Sequence, residues 1–265
     1  MTNNQEYENS LSNQKTNNNK KNNQSFIEHL KSFTAFEIIF TISCIFIIWF
    51  LTLISLIFSE NVVYWLLVLS LFAAGFGIIA NISATKKTKW NYFWGVFHVL
   101  LYALVSYFSA YFGDAILNLF YYFPLMIIGF FMWKSNEIKE GDNGEVKNKK
   151  LSIMQWTVFN IFALFFYFSY SFLLKFLGGV HIYLDSASTT LSLYGMLLMN
   201  YRYREQWIIW FFVNFVSAIM WLLLFVGIDQ DPTSSGINVV ALPMFLMWVV
   251  YLSISILGWK RWQKT

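Results

Sequence analysis

The chain runs to 265 residues, of which 57% are hydrophobic and only 12% charged, with a formal net charge of +4. Soluble domains carry about 25% charged residues, whereas an aromatic share of 21% (29 Phe, 15 Tyr, 12 Trp) suits a lipid core and its two interfaces. A cytosolic enzyme, a disordered protein and, with Cys44 as the one cysteine, a disulfide scaffold are excluded.

Residues 1–35 are polar, and nine of the first 23 are Asn. Such a segment cannot bury enough apolar surface to offset its ordering entropy, which predicts a disordered cytoplasmic tail. The first apolar stretch starts near Phe36 and runs about 23 residues, too late and too long for the h-region of a cleaved signal peptide. Apolar blocks then predict eight helices near 36–58, 61–84, 91–110, 114–133, 153–176, 185–200, 206–227 and 238–259. Each can cross about 30 Å of hydrocarbon at about 1.5 Å per residue. The expected fold class is all-α integral membrane.

Charge placement sets the topology. Of the 18 Lys and Arg, all but Lys175 fall before helix 1, between helices 2 and 3, 4 and 5, or 6 and 7, or after helix 8. Glu60, Asp114, Asp185, Asp229 and Asp231 share the other side with Lys175. The positive-inside rule then places both termini in the cytoplasm. The basic residues read as loop anchors, so no nucleic-acid partner is expected.

Helices 2–4 and 6–8 look like two copies of one unit. Trp90, Trp94 and His98 open helix 3 at four-residue spacing, and Gln206, Trp210 and Asn214 open helix 7 in the same way. Helix 4 ends Gly129-x3-Trp133 and helix 8 ends Gly258-x3-Trp262, each beside a basic residue. A three-helix unit reverses the chain's side and a single linker helix restores it, so the copies run parallel. The expected organisation is a peripheral helix over 36–58, a first repeat over 61–133, a linker helix over 153–176 and a second repeat over 185–262. Parallel repeats of this kind place a substrate at their interface near the midplane.

Residues four apart share a helix face, so each trio forms a stripe reaching from the cytoplasmic end toward mid-bilayer. His98 and Asn214 lie about eight residues into their spans, where a polar side chain loses water and needs a partner. A helix–helix hydrogen bond is the plain alternative, at about 0.6 kcal/mol; equivalent positions in two repeats favour a shared site. Asp185 or Ser186 is expected to cap helix 6. Ser188 and Ser192 are expected to pack or back-bond, while Thr189 and Thr190 are expected to reach the ligand. Ala73, Gly77 and Asn81 read as a close-packing face of helix 2, Asn118 as facing the cavity, and Pro124 and Pro243 as sites of kinks.

No Asp, Glu, Lys or Arg falls in the middle third of a span, so ion-coupled transport lacks its usual buried groups. There is no Walker A loop, no HExxH and no credible Ser–His–Asp order, so neither ATP hydrolysis nor another enzymatic activity is expected. Neither a metal nor a cofactor is called for.

The stretch from Trp90 to Trp133, with Tyr-Phe-Gly-Asp114, resembles the PnuC-type vitamin transporter family. So does Tyr183-Leu-Asp-Ser-Ala-Ser-Thr-Thr190, followed by Arg202-Tyr-Arg-Glu-Gln-Trp207 and Trp210-x3-Asn214. The likeness covers roughly residues 60–262. It implies three helices, a linker helix and three helices, related to the SWEET fold, with one extra N-terminal helix. It also implies facilitated diffusion of a small vitamin substrate, trapping by a cytoplasmic kinase, and a homo-oligomer, with trimers known among such folds. Family substrates include nicotinamide riboside, thiamine, riboflavin and deoxynucleosides. The family's stripes match Trp90, Trp94 and His98, then Gln206, Trp210 and Asn214; His98 departs from the Asn or Trp expected there.

The pyridinium of nicotinamide riboside would be stabilised by the faces of Trp94 and Trp210 at about 0.5–2 kcal/mol each. Asn, Thr and His98 side chains would bond its carboxamide and hydroxyls, and the lack of a buried carboxylate would keep binding modest. Thiamine, also cationic and aromatic, remains an alternative by this argument, while riboflavin needs a longer cavity. A ligand-capture subunit of an ATP-driven importer is the alternative from another class.

Overall fold

A computed structural model describes residues 26–59, 62–109, 111–140, 148–176, 182–228 and 238–263. The Asn-rich segment 1–25 lies outside the described residues, as do Glu60, Lys147, Asp229, Asp231 and Lys264. The chain divides into two compact units, Met1–Phe40 and Thr41–Thr265, with the boundary inside the first long helix.

In the first unit, residues 26–31 are helical. The tail expected over 1–35 therefore gives way to structure earlier, where Phe26, Ile27 and Leu30 interrupt the polar run. Helix α1 (Ala35–Ser55) opens on a reciprocal cap. Glu37 N–H donates to Thr34 Oγ1 at 3.3 Å, and Thr34 N–H donates to Glu37 Oε2 at 2.7 Å. The Thr-x-x-Glu spacing satisfies two donors that a helix start leaves open, which accounts for a buried Glu37.

The second unit holds α2 (Tyr64–Thr85), α3 (Trp90–Phe108), α5 (Ile153–Phe176), α6 (Ile182–Asn200), α7 (Gln206–Val226) and α8 (Ala241–Gln263). Between α3 and α5 runs α4, made of Phe112–Ile116, a π-turn Leu117–Tyr122 and Phe123–Glu140. No strand occurs among the described residues, only an isolated bridge between Lys149 and Tyr203. Among the described residues six helices, α1, α2, α4, α5, α7 and α8, are long and apolar enough to cross a membrane. The other two, α3 and α6, are diluted by Asn, His, Tyr and Trp, and by Ser, Thr and Asp, respectively.

Three local expectations change. Helix α6 begins at Ile182, so Asp185 sits in its first turn and neither Asp185 nor Ser186 is the cap. Helix α8 begins at Ala241, so Pro243 lies in the first turn, where a missing N–H breaks no helical bond and forces no kink. In α4 the irregularity precedes Pro124. The wide turn over Leu117–Tyr122 carries the chain into the proline, which has no N–H to donate.

Helix α3 packs against both α2 and α4, and α7 against both α6 and α8. The trios meet where α2 lies on α8 and α4 touches α6; α5 lies against α6. Residues 41–55 of α1 flank α2, with the Trp49 ring edge-on to Phe72 at 5.9 Å. The outward faces of α1 and α5 are Phe-, Ile- and Leu-rich and exposed, as a lipid-facing surface requires.

One end of the bundle is basic and tightly closed. Lys87 and Arg202 turn the chain out of α2 and α6 in the left-handed region, with φ of 58° and 66°. Their N–H groups donate three residues back, to Ala84 at 3.1 Å and Met199 at 3.0 Å. A Cβ at Gly129 would run into the Tyr92 ring, and one at Gly258 into the Trp207 ring. These two glycines let α4 approach α3, and α8 approach α7, closely enough for Trp133 and Trp262 to meet with centroids 6.1 Å apart. Segment 148–151 straps this end. Lys149 N–H donates to Arg202 O at 2.7 Å, Asn148 Nδ2 to Trp262 O at 2.7 Å, and Leu151 N–H to the buried carboxylate of Glu205 at 3.1 Å.

Candidate functional site

Between the trios lies a cavity of about 80 Å³, room for a few waters at about 30 Å³ each. Each helix supplies a face set by its packing. From α3 come Asn91, Gly95, His98, Val99 and Tyr102; from α7 come Gln206, Trp207, Trp210, Asn214 and Ser217. Helix α4 adds Asp114, Asn118 and Tyr122 at four-residue spacing, the first just before the π-turn and the other two within it. Leu117 and Met126 of α4, Ala80, Asn81 and Ala84 of α2, Ser188, Ser192 and Met199 of α6, and Trp248 and Tyr251 of α8 complete the wall.

The α2 face of Ala73, Gly77 and Asn81 brings α3 and α8 together. His98 Nδ1 lies 2.9 Å from Ala73 O. A carbonyl oxygen only accepts, so Nδ1 carries the proton and Nε2 is left as an acceptor. A Cβ at Gly77 would meet both Tyr251 Oη and the His98 ring. Around this corner the His98–Tyr102, Tyr102–Trp248 and Trp248–Tyr251 ring pairs have centroids 5.5, 5.9 and 5.2 Å apart. Across the cavity, Tyr122 and Trp210 pair at 6.3 Å. The polar groups are partly committed: Asn214 Nδ2 donates to Ser255 Oγ at 2.8 Å, and Asn118 Nδ2 to Asp114 O at 2.8 Å. Each amide keeps its carbonyl as an acceptor.

The end opposite the basic one is tied by a relay. Trp221 Nε1 donates to Tyr102 Oη at 2.7 Å, and Tyr102 Oη donates to Asp114 Oδ2 at 3.0 Å. Tyr111 Oη donates to Met220 O at 3.0 Å, tying the residue that precedes α4 to α7. Asp114 is 8% exposed and lines the cavity. The expectation of a site without a buried carboxylate is therefore corrected: α4 starts beside the cavity, so its first-turn acid faces inward.

Of the nine expected site residues, His98, Asn118, Gln206, Trp210 and Asn214 line the cavity. Trp90, Trp94, Thr189 and Thr190 do not. Trp90 packs edge-on to Phe130 at 6.2 Å, with Lys89 Nζ 5.6 Å from its ring. Trp94 stacks on Phe76 at 6.1 Å. The inward stripe of α3 is thus Asn91–Gly95–His98–Tyr102, which keeps His98 but replaces Trp90 and Trp94 by the residues that follow them, with Gly95 close against Met126. In α6 the expectation reverses: Ser188 and Ser192 face the cavity, with Ser188 Oγ 3.2 Å from Ser217 Oγ, while Thr189 Oγ1 donates to Asp185 Oδ1 at 3.4 Å. Sequence reasoning passes over Asn91, Tyr102, Asp114, Trp207, Trp248 and Tyr251. The Asp114–Asn118–Tyr122 ladder is readable as a spacing; the lone rings of α8 carry no such signal.

Comparison with known proteins agrees with this architecture. Residues 67–264 match the family model described as nicotinamide mononucleotide transporter. A curated relative, the nicotinamide riboside transporter PnuC of Neisseria mucosa, is 32% identical over 222 residues, covering 83% of this chain and 80% of that protein. The protein of the same name from Haemophilus influenzae is 29% identical over 189 residues, covering 71% and 76%. The crystal structure of the vitamin B3 transporter PnuC superposes with a TM-score of 0.73 at 28% identity, covering 90% of this chain and 95% of that one. The chain belongs to the PnuC family of multi-pass membrane transporters, and is a transporter and not an enzyme.

Proposed function

We propose that this chain carries nicotinamide riboside across the cytoplasmic membrane by facilitated diffusion, with a cytoplasmic kinase trapping the product. The observation that carries the reading is the cavity itself, ringed by Trp210, Trp248, Tyr122 and Tyr251, and holding Asp114. A pyridinium ring gains about 0.5–2 kcal/mol from each desolvated aromatic face. The buried carboxyl group of Asp114 adds a partner for positive charge, and the acceptors of His98, Asn118 and Asn214 suit ribose hydroxyls. Thr189 and Thr190, one residue from the lining serines, and Trp90 and Trp94, behind the α3 stripe, support the wall. The names of the Neisseria and Haemophilus relatives favour this substrate over thiamine, riboflavin or a deoxynucleoside.

Eight crossings are proposed, as two parallel three-helix repeats joined by α5, with α1 outside them. The pairs Lys87 and Arg202, Asn91 and Gln206, Gly95 and Trp210, and Tyr102 and Ser217 are separated by one constant interval in sequence. Gly129 and Gly258 share a second interval with Trp133 and Trp262. This pairing supports a duplication whose register differs by one residue from the Trp90–Gln206 alignment. The basic end is assigned to the cytoplasm, with both termini, by the positive-inside rule. Uniport and a homo-oligomer remain part of the proposal; spans without acidic or basic residues in their middle thirds support uniport, with Asp114 held at the end of the cavity by Tyr102.

Calorimetry of purified protein with nicotinamide riboside, thiamine, riboflavin and a deoxynucleoside tests the substrate. Nicotinamide riboside is expected to bind tightest; stronger binding of another of the four would reassign it.

A further inference from the structure

Asn91 opens α3 at the basic end of the cavity and is 2% exposed. Both polar atoms of its side chain, Nδ2 and Oδ1, are buried without a hydrogen-bond partner. Gln206, its counterpart at the start of α7, is 1% exposed and leaves Nε2 in the same state. The other cavity amides differ: Asn81, Asn118 and Asn214 each spend Nδ2 on the protein. Leaving a buried amide unsatisfied carries its whole desolvation cost, so such a group is retained where something else completes it.

We propose that Asn91, with Gln206 also in the cavity wall, reads a primary carboxamide on the substrate and so separates the amide from the corresponding acid. This rests on the nicotinamide riboside reading and adds which atoms select the substrate. A planar carboxamide offers one N–H toward Asn91 Oδ1 and a carbonyl toward Asn91 Nδ2, closing a reciprocal pair, with Gln206 Nε2 as a further donor. A carboxylate at that position has no hydrogen for Asn91 Oδ1 and sets two acceptors against one. An unsubstituted pyridinium riboside supplies neither group. Sites built to bond a polar group reject analogues lacking it far more strongly than apolar pockets reject a missing methylene. The ladder of aromatic faces and Asp114 does not distinguish these three ligands by itself, since all carry the pyridinium; the choice falls to the amide end.

The test is calorimetry on the purified full chain with nicotinamide riboside, nicotinic acid riboside and unsubstituted pyridinium riboside. The unaltered protein is expected to prefer the amide by at least about tenfold over both analogues. Asn91→Leu is expected to weaken nicotinamide riboside by at least about tenfold while changing the unsubstituted analogue by less than about threefold. Should melting curves show Asn91→Leu unfolded, Asn91→Ala, which removes both amide atoms with less added bulk, is expected to lose the amide preference likewise. Amide preference surviving in the folded variant, or parallel weakening of amide and unsubstituted ligand, overturns the inference and leaves the riboside reading standing. No binding of nicotinamide riboside by the unaltered protein overturns the riboside reading itself.

Discussion

The hydroxyl of Tyr102 donates to Asp114 Oδ2 at 3.0 Å, tying α3 to the first turn of α4 at the end of the cavity remote from the lysines. The same oxygen accepts from Trp221 Nε1 at 2.7 Å, so one phenol holds three helices from both trios. All three residues are buried. Opening this end requires the relay to part, and a carrier must part it reversibly.

Removing the phenol oxygen leaves a buried indole N–H and a carboxyl oxygen unpaired. Tyr102→Phe is therefore expected to destabilise the closed form by about 2 kcal/mol, seen as a lower melting temperature of the purified protein. An unchanged melting temperature would show that the relay contributes nothing to closure.

Trp210 and Asn214 follow Gln206 along one stripe of α7, and all three stand on the cavity wall. Trp210→Ala removes a stacking face and Asn214→Ala an acceptor, and each is expected to weaken ligand binding by more than about 1 kcal/mol. Calorimetry reads this directly; unaltered affinity in both variants moves the site elsewhere.

Trp94 makes the converse case. Its ring stacks on Phe76 outside the cavity lining. Trp94→Phe is expected to change affinity by less than about threefold, under about 1 kcal/mol. A tenfold loss would restore the Trp stripe as the binding face.

That contrast marks the limit of what the sequence makes readable. Polar residues in apolar helices stand out, so the inward orientation of His98, Asn118 and Asn214 is legible from composition and spacing. The rotational phase of α3 is not, because Trp and Tyr occur on every face of it and a shift of one residue turns a helix by about 100°. Gly95 lies close against Met126, a packing contact between α3 and α4 that residue spacing does not announce. Asp114 reads as a residue at a helix end, which it is; only the start of α4 beside the cavity makes it part of the wall. Asn91 looks like an interfacial residue in sequence, and its missing partners appear only in three dimensions. The paired Gly-x3-Trp endings are legible as a pattern, and their geometry explains it.

Gly129 and Gly258 each admit a ring that a methyl group would strike. Gly129→Ala and Gly258→Ala are each expected to cost about 1–3 kcal/mol through overpacking. Gly75, where an added Cβ lies 4.0 Å from Ile45, is the control and is expected to tolerate alanine. Melting curves of the three variants check this; equal stability of all three would remove the close-approach role.

The central claim is tested most directly by uptake of labelled nicotinamide riboside into liposomes containing the purified protein. The expected result is entry that stops when inside and outside concentrations are equal, whether or not proton or sodium gradients are imposed. Gradient-driven accumulation, or binding without any entry, would contradict it.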